Sequence, residues 1–592
     1  MSNRLIKCAF FFSFVTMLGV TAPAQLLHDD FNGTSIDTRL WHVITPFPNS
    51  SMTEVVGNVV FENRGTLLSV TSLPTSVDIT GRFEFTGNIH DQFSVVLRTN
   101  GVDTNPFGAL DNGIYFLFAI ESDTGDTTNQ IHIQDANYPN PGVTLATGTF
   151  PMTLNTFYTF RITDDGTNLA LYINDLTHPL LTATDSNLYG SQLGLFNREG
   201  NGSISAGSIT RLDFITAHAT YTWSTTTTGF AWLNAANWTG NPGHYPGVDA
   251  NNSSTADGAS NDIAAFSSMD FSANILGINF SPSSNKGLTN NTGANGSLTL
   301  GAIDYLSTTN KSISIGDNSG SAGILTLTGV TLNGVANTVL ANEGSHSLTL
   351  APQIGGGTQD MTLALGNATN DVVQVNGSGG IIISAAIQDG AGVAGSLTKT
   401  GPGTLTLSHA NTYTGGTTIK KGALVVKNTS GSATGPGAVQ VDLGTLRGVG
   451  EINGAVTVGT RSSSGAILLA GNSVTSPGTL TINSALTFES LSTYKCVLKR
   501  STSSTGVTAV AGKVAALGVI INSGVPFTFT DTGTGILPIG MVFTVINNTS
   551  ASPIAGRFSN LANGLILTSN GNNFKVSYTG GTGNDLTLKV VP

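Results

Sequence analysis

Residues 396–427 read SLTKTGPGTLTLSHANTYTGGTTIKKGALVVK. Three short Thr/Leu/Val runs stand between glycine corners, with few charges and no grouping of acids, bases or nucleophiles that looks reactive. Thr and Val favour a pleated, half-buried surface, and glycine supplies corners of positive φ. A strand of only four to six residues cannot bury its apolar side alone, so the economical solution is to coil the chain into rungs and stack them. Segments around it follow the same rule, among them GSLTLGAIDY, KSISIGDNSG, GILTLTGVTLNG, DMTLALGN, GAVQVDLGTLRGVGEINGAVTVG and GTLTINSALTFES. The pattern predicts an elongated parallel β-solenoid over 281–500, of either hand. Tight spacing and the lack of two similar halves disfavour a string of independent sandwiches. Asn411, just before Tyr413, is placed for an asparagine ladder between rungs.

The stretch resembles the autotransporter-associated β-strand repeat, also called the passenger-associated transport repeat, closely from Gly395 to Val426 and loosely to Asn483. Gly401, Gly403, Asn411, Tyr413, Gly415, Gly416 and Gly422 match its motif. The resemblance implies a structural role for them, in a bacterial surface or secreted β-solenoid protein. Self-translocating members end in a membrane barrel whose twelve strands of about 10 residues need well over 200 residues, and only about 90 follow Arg500. Separate export machinery, or residence in the periplasm, is therefore expected. The last part, 501–592, contains FTVI, GRFSNL and VSYTGG, which resemble the terminal segment of the same family and read as the closing end of the solenoid, blunting a bare edge. There GGTGNDL (580–586) fits one copy of a calcium-binding nonapeptide, a site that forms only between several copies, so a glycine-rich hairpin is expected instead.

Composition agrees with an all-β molecule. The 592 residues are 39% hydrophobic and only 10% charged, with 73 Gly, against about 25% charged in ordinary domains. The length calls for more than one domain. Residues 1–24 carry Arg4 and Lys7, an apolar run from Cys8 to Val20 and Ala22-Pro23-Ala24, the pattern of a secretory signal peptide cleaved after Ala24. The run is short for a membrane anchor, and no later segment is long and apolar enough to span. Cleavage takes the formal charge from −11 to −13, which disfavours nucleic acid as a partner, and leaves Cys496 without a disulfide partner. The expected location is extracellular or on a bacterial cell surface, with the periplasm as the alternative.

Residues 25–218 read differently. Segments such as NVVFENRGTLLSVTS, DQFSVVLRTNG, NGIYFLFAIES, NQIHIQDA and FYTFRITDDGTNLALYIND alternate with period 2 and are joined by turn residues, as in a β-sandwich. Trp41 and Phe31 read as core. DDFNGTSIDTRLW, FYTFRITDDGTNLALYIND and RLDFITA resemble the concanavalin-like, laminin-G-like jelly-roll family, which implies two curved antiparallel sheets with the first and last strands side by side. Between the two regions, 219–280 shifts to Thr, Gly, Pro and Asn and holds Trp223, Trp232 and Trp238. These rings either stack on carbohydrate or cap the solenoid's open end; the cap is the preferred reading.

Candidate sites are few. Glucanases on this sandwich carry Glu-x-Asp-x-x-Glu on one strand, whereas here Glu121 and Asp123 are followed by Asp126 at a spacing that strand periodicity turns away. Arg98, Tyr115 and His132 alternate against inward Leu97, Ile114, Phe116, Ile131 and Ile133, and are placed to line an outer sheet face that holds a sugar. Asp164, Asp165 and Asn168 offer oxygens to calcium, though a turn explains them equally. No zinc spacing occurs, so no cofactor is expected. The reading is a non-catalytic exported protein, its solenoid stalk presenting a lectin-like domain to an extracellular glycan or surface partner. A carbohydrate-active enzyme and a purely structural, self-associating matrix component are the alternatives.

Overall fold

The computed structural model describes residues 27–592 apart from 30, 32–34, 45–50, 56, 63–64, 71, 74–75, 88–90, 103–109, 121–128, 177, 200–208, 224–231, 233–236, 240–244, 250–261, 267–274, 279–295, 309–310, 318–320, 356–358, 368–369 and 504–505. The signal segment 1–24 and the acids Glu121, Asp123 and Asp126 thus lie outside the described residues. The described chain is all-β: a jelly-roll sandwich followed by a parallel β-solenoid.

In the sandwich, one sheet runs Asn140–Thr149, Gln130–Asn137, Asn112–Ala119, Asp91–Thr99, Gln192–Glu199, Gly65–Ser69 and Trp41–Ile44, all antiparallel. The facing sheet centres on Val77–Phe85, Tyr158–Asp164, Asn168–Ile173 and Ile209–Trp223. The first strand, Leu27–Asp29, pairs with Ile215–Ala217, so the ends of the sandwich lie side by side. Alternation sends Phe83, Phe93, Phe118 and Phe160 inward, with ring centroids 4.8 to 6.5 Å apart, the tilted and offset geometry that aromatic quadrupoles favour. Trp41 is core and donates its indole N–H to Asp29 Oδ2 at 2.8 Å.

Strand Ile209–Trp223 crosses position 218 without a break. Its first part pairs with Val77–Phe85, and Thr220–Thr222 then pairs in parallel with Ile263–Ala265 of the first rung. One strand therefore belongs to both regions. Trp223, Trp232 and Trp238 are buried around Phe266, with ring centroids 4.8 to 6.3 Å apart, and Trp238 donates to the Trp232 carbonyl at 2.7 Å. Rings so placed close the apolar core where stacking begins and are not free to meet a sugar.

The solenoid stacks short strands in parallel register. Ile313, Leu348, Ile381, Leu405, Leu424, Leu446, Leu468, Tyr494 and Phe527 stand one above another along a single ladder. All are buried, each contributing about 1.5–3 kcal/mol by leaving water. Circuits shorten in the middle: Ile303 lies against Leu340, but Lys399 against Ile419 and Val441 against Val458. The end differs in direction, because Val542–Asn548 pairs in parallel with Lys513–Ala516 on one side and antiparallel with Asp585–Val591 on the other, followed by Asn572–Gly580. Residues 581–584 form the turn between these last two strands, within the glycine-rich stretch 580–586, and Asp585 Oδ1 accepts from the Asn548 amide at 3.0 Å.

The repeat explains how short circuits close. In the rungs opened by Leu397–Thr400 and Thr417–Ile419, the third side has no strand. Asn411 occupies that side, accepting from the Ile387 amide at 2.8 Å and donating to the Ala433 carbonyl at 2.5 Å. One side chain thus bridges the rungs before and after its own. Its amide is spent on backbone groups, so the hydrogen bonds that tie the rungs here run from asparagine to main chain rather than along an asparagine ladder. Tyr413 is fully buried, its hydroxyl 2.6 Å from Thr417 Oγ1. Glycine is required where rungs nearly touch: a Cβ on Gly401 would lie 2.4 Å from the Val375 carbonyl oxygen, one on Gly403 2.5 Å from that of Gly377, and one on Gly415 2.7 Å from that of Gly395. Gly416 (φ +92°) and Gly422 (φ +76°) add the left-handed backbone. Losing the bridge should cost about 2–4 kcal/mol in Asn411→Leu, since two backbone groups lose partners inside the stack; thermal unfolding of the full chain measures it, and an unchanged melting temperature contradicts it.

Asp371 and Asp304 are among the carboxyls buried in the solenoid. Burial pushes Asp371 up to about 7, and burial, followed by the charge of Glu343, pushes Asp304 up to about 8. Both values exceed the unfolded one near 3.9, so between that pH and about 8 the folded state keeps protons that the unfolded chain has released. Their contribution to stability therefore falls as pH rises through this window. The melting temperature is expected to be higher at pH 5 than at pH 8.5, with a shallower slope in Asp371→Asn; an unchanged slope in that variant contradicts the assignment.

Candidate ligand-binding face

The outer face of the seven-stranded sheet follows from alternation. Phe93, Val95, Ile114, Phe116, Ile131 and Ile133 point inward, leaving Ser94, Tyr115, Leu117, His132 and Gln134 on the opposite face. Register places Tyr115 between Val96 and Gln134, and His132 beside Leu117. Tyr115 and His132 therefore share the expected face.

Arg98 does not. Its φ is +55° and the strand pairing shifts register beside it, so the alternation breaks there and the side chain swings to the other sheet. The guanidinium forms a buried bidentate pair with Asp164, its Nε donating to Oδ2 at 2.8 Å and Nη2 to Oδ1. Nη1 donates to the carbonyls of Asp185 at 2.9 Å and Asn187 at 3.1 Å. A bulge is not visible in an HPHP pattern, which is why counting from Leu97 puts Arg98 on the wrong side. The same pair answers the calcium reading. Asp164 is held by Arg98 and the Gly166 amide, while Asp165 accepts from the amides of Thr167 and Asn168 at 2.9 and 2.6 Å, so these oxygens are engaged by an arginine and by their own turn. Among the described residues no group of three or more His, Cys, Asp or Glu is placed to hold a metal.

Tyr115 is floor rather than an exposed platform. It is buried against Leu68, Val96, Leu110 and Phe196, and its hydroxyl donates to the Leu110 carbonyl at 2.6 Å. His132 is half-buried, one ring nitrogen 2.9 Å from Gln130 Oε1. Above Tyr115 lies a depression of about 210 Å³ lined by Ser94, Asp111, Leu117, Gln134, Tyr138, Asn140 and Phe196 as well. Tyr138 is its exposed ring, 40% accessible, set at the hairpin that joins Gln130–Asn137 to Asn140–Thr149. Sequence reasoning overlooked Gln134, Tyr138 and Asn140. The signal was present, since Gln134 keeps the alternation of His132 and NYPN marks a turn that carries an aromatic beside the face.

The chain thus combines a jelly-roll sandwich bearing a small amphipathic depression with a solenoid of stacked rungs. Residues 397–426 match the family described as Passenger-associated-transport-repeat. No curated protein matches the chain. Solved structures similar to part of it include a glycosyl hydrolase family protein from Mycobacterium fortuitum, 12% identical over 33% of this chain and 99% of that one, TM-score 0.25. A carbohydrate-binding module from Bacillus subtilis is 13% identical over 31% and 98%, TM-score 0.23. A beta-1,3-glucanase from Mycobacterium marinum is 14% identical over 33% and 98%, TM-score 0.25.

Proposed function

We propose that the protein is an exported, non-catalytic surface protein whose solenoid carries a glycan-binding sandwich. The observation that supports this most is the depression above Tyr115, where an exposed ring at Tyr138 stands beside Gln134, Asn140 and Asp111. An aromatic face takes the C–H side of a sugar while amides and a carboxylate take its hydroxyls, the usual division of a small-ligand site. The matched repeat supports placement at a bacterial surface or outside the cell. A site this small gives weak single binding, which many copies on a surface amplify.

The test is a glycan array with the mature full chain, then titration of any hit. Tyr138→Ala and Gln134→Ala are each expected to weaken binding about tenfold, or about 1.4 kcal/mol, without changing the melting temperature. Equal binding by both variants contradicts the assigned face. Turnover of a bound glycan that Glu121→Gln abolishes contradicts the non-catalytic reading.

A further inference from the structure

The sandwich and the first rungs of the solenoid do not merely adjoin through their shared strand. The outer side of Tyr158–Asp164 and Asn168–Ile173 turns toward Ile263–Phe266 and Ala302–Tyr305, and a cavity of about 730 Å³ lies between them. That is well within the range of small-molecule sites, about 300–1,000 Å³. The joint is tied by a second contact, where a Cβ built on Gly334 of the solenoid would come within 2.9 Å of the Leu176 side chain of the sandwich.

The chemistry of this cavity is selective. Arg161 is committed to Asp78, its Nε 3.0 Å from both carboxylate oxygens and its Nη2 2.6 Å from Oδ2, and Nη1 donates to the Leu176 carbonyl at 3.1 Å. Tyr172 lies under the same guanidinium, 5.1 Å from its ring centroid. Asp304, on the solenoid wall, is different: it is buried, and its Oδ1 has no hydrogen-bond partner. A buried acceptor left unpaired costs about 1–3 kcal/mol, so a donor that enters here is rewarded. The sandwich wall answers with the exposed residues Thr182 and Thr184, whose hydroxyls both donate and accept.

We infer that the joint cavity is a second binding site, for a neutral polyhydroxylated ligand such as a short oligosaccharide, with Asp304 accepting from its hydroxyls. Three features select that class. A cation finds one uncommitted carboxyl, which burial keeps protonated up to about pH 8, where a cage needs several carboxylates. An anion meets Asp78 and Asp165 with the nearby guanidiniums of Arg161 and Arg98 already paired. A hydroxyl-rich molecule satisfies the orphan oxygen and the threonines while its C–H faces cover Tyr172 and Ala265. The site does not depend on the depression above Tyr115, which lies on the opposite sheet. A ligand here touches both regions at once, so it also locks the sandwich onto the solenoid.

The test uses the mature full chain and a panel of neutral di- to tetrasaccharides cut from β-glucans, xylan, mannan and arabinan, titrated by calorimetry and saturation-transfer NMR. Tyr138→Ala silences the outer depression. Asp304→Leu removes the acceptor without leaving a polar group unpaired, and Thr184→Trp fills the cavity from an exposed strand. At least one saccharide is expected to bind the parent and Tyr138→Ala alike, to weaken at least tenfold in Asp304→Leu, and to be lost in Thr184→Trp, with both variants retaining the parent's circular dichroism. Loss of all binding in Tyr138→Ala alone supports the outer depression and overturns the joint site. Equal affinity in the parent, Asp304→Leu and Thr184→Trp, or no binding of the panel by the parent, also overturns it.

Discussion

Arg98→Ala should destabilise the sandwich by about 3–5 kcal/mol, the cost of stranding one member of a buried ion pair. The arginine and Asp164 side chains are 4% and 1% accessible, so water does not replace the lost guanidinium. Burial already pushes the Asp164 carboxyl above its ordinary value, with Arg98 pulling it back down. Without the arginine the acid must take up a proton or remain charged in an apolar setting, and the carbonyls of Asp185 and Asn187 lose their donor as well. The double variant Arg98→Met, Asp164→Leu removes both charges and is expected to recover most of the loss, because two apolar groups of similar volume leave neither partner stranded. Urea unfolding of the full chain, followed at the transition of the sandwich, measures both. A loss below about 1 kcal/mol in Arg98→Ala contradicts the account.

The second large effect is at a rung corner. Gly422→Ala is expected to cost well over 4 kcal/mol, whereas Gly392→Ala, at the same φ of +76°, should cost only the 1–2 kcal/mol of an L residue in left-handed backbone. The difference is crowding. A Cβ on Gly422 would lie 2.4 Å from the Gly403 carbonyl oxygen and 2.5 Å from that of Gly401, while one on Gly392 meets nothing within 4 Å. Backbone oxygens held in a stacked rung cannot step aside as a side chain can, and a displaced rung weakens its interfaces on both sides. Melting temperatures of the two variants give the comparison. Equal losses would mean that strain, not stacking, sets the need for glycine.

These effects show why the depression and the ion pair must be told apart. Alternation along DQFSVVLRT puts Arg98 on the candidate face, yet its substitution acts on the fold. Binding lost in Arg98→Ala therefore reports unfolding, whereas binding lost in Tyr138→Ala at an unchanged melting temperature reports a contact.

Much of the architecture was legible in the sequence because both halves obey a period of two. Inward Phe, Ile and Leu fixed the sandwich core, and Leu/Thr alternation between glycines fixed the stacked strands, since each pattern has one way to hide its apolar side. Even the inward place of Lys399 follows from Leu397 two residues before it. What its Nζ then meets does not: the carbonyls of Gly401 and Lys421, at 2.8 and 3.1 Å, come from two different rungs.

The sequence by itself determined which faces are apolar and where the corners must be glycine. Tertiary structure alone decided what lies at breaks in the pattern. The positive φ of Arg98 turns it from surface to ion pair, and a single strand carries the sandwich into the first rung. Asp304 lies beside a cavity whose other wall comes from residues more than a hundred positions away. Periodicity is a local property of the chain, and it governs every residue that obeys it. A bulge, a shared strand or an interdomain cavity depends on partners distant in sequence, and those are assigned only when the chain has folded.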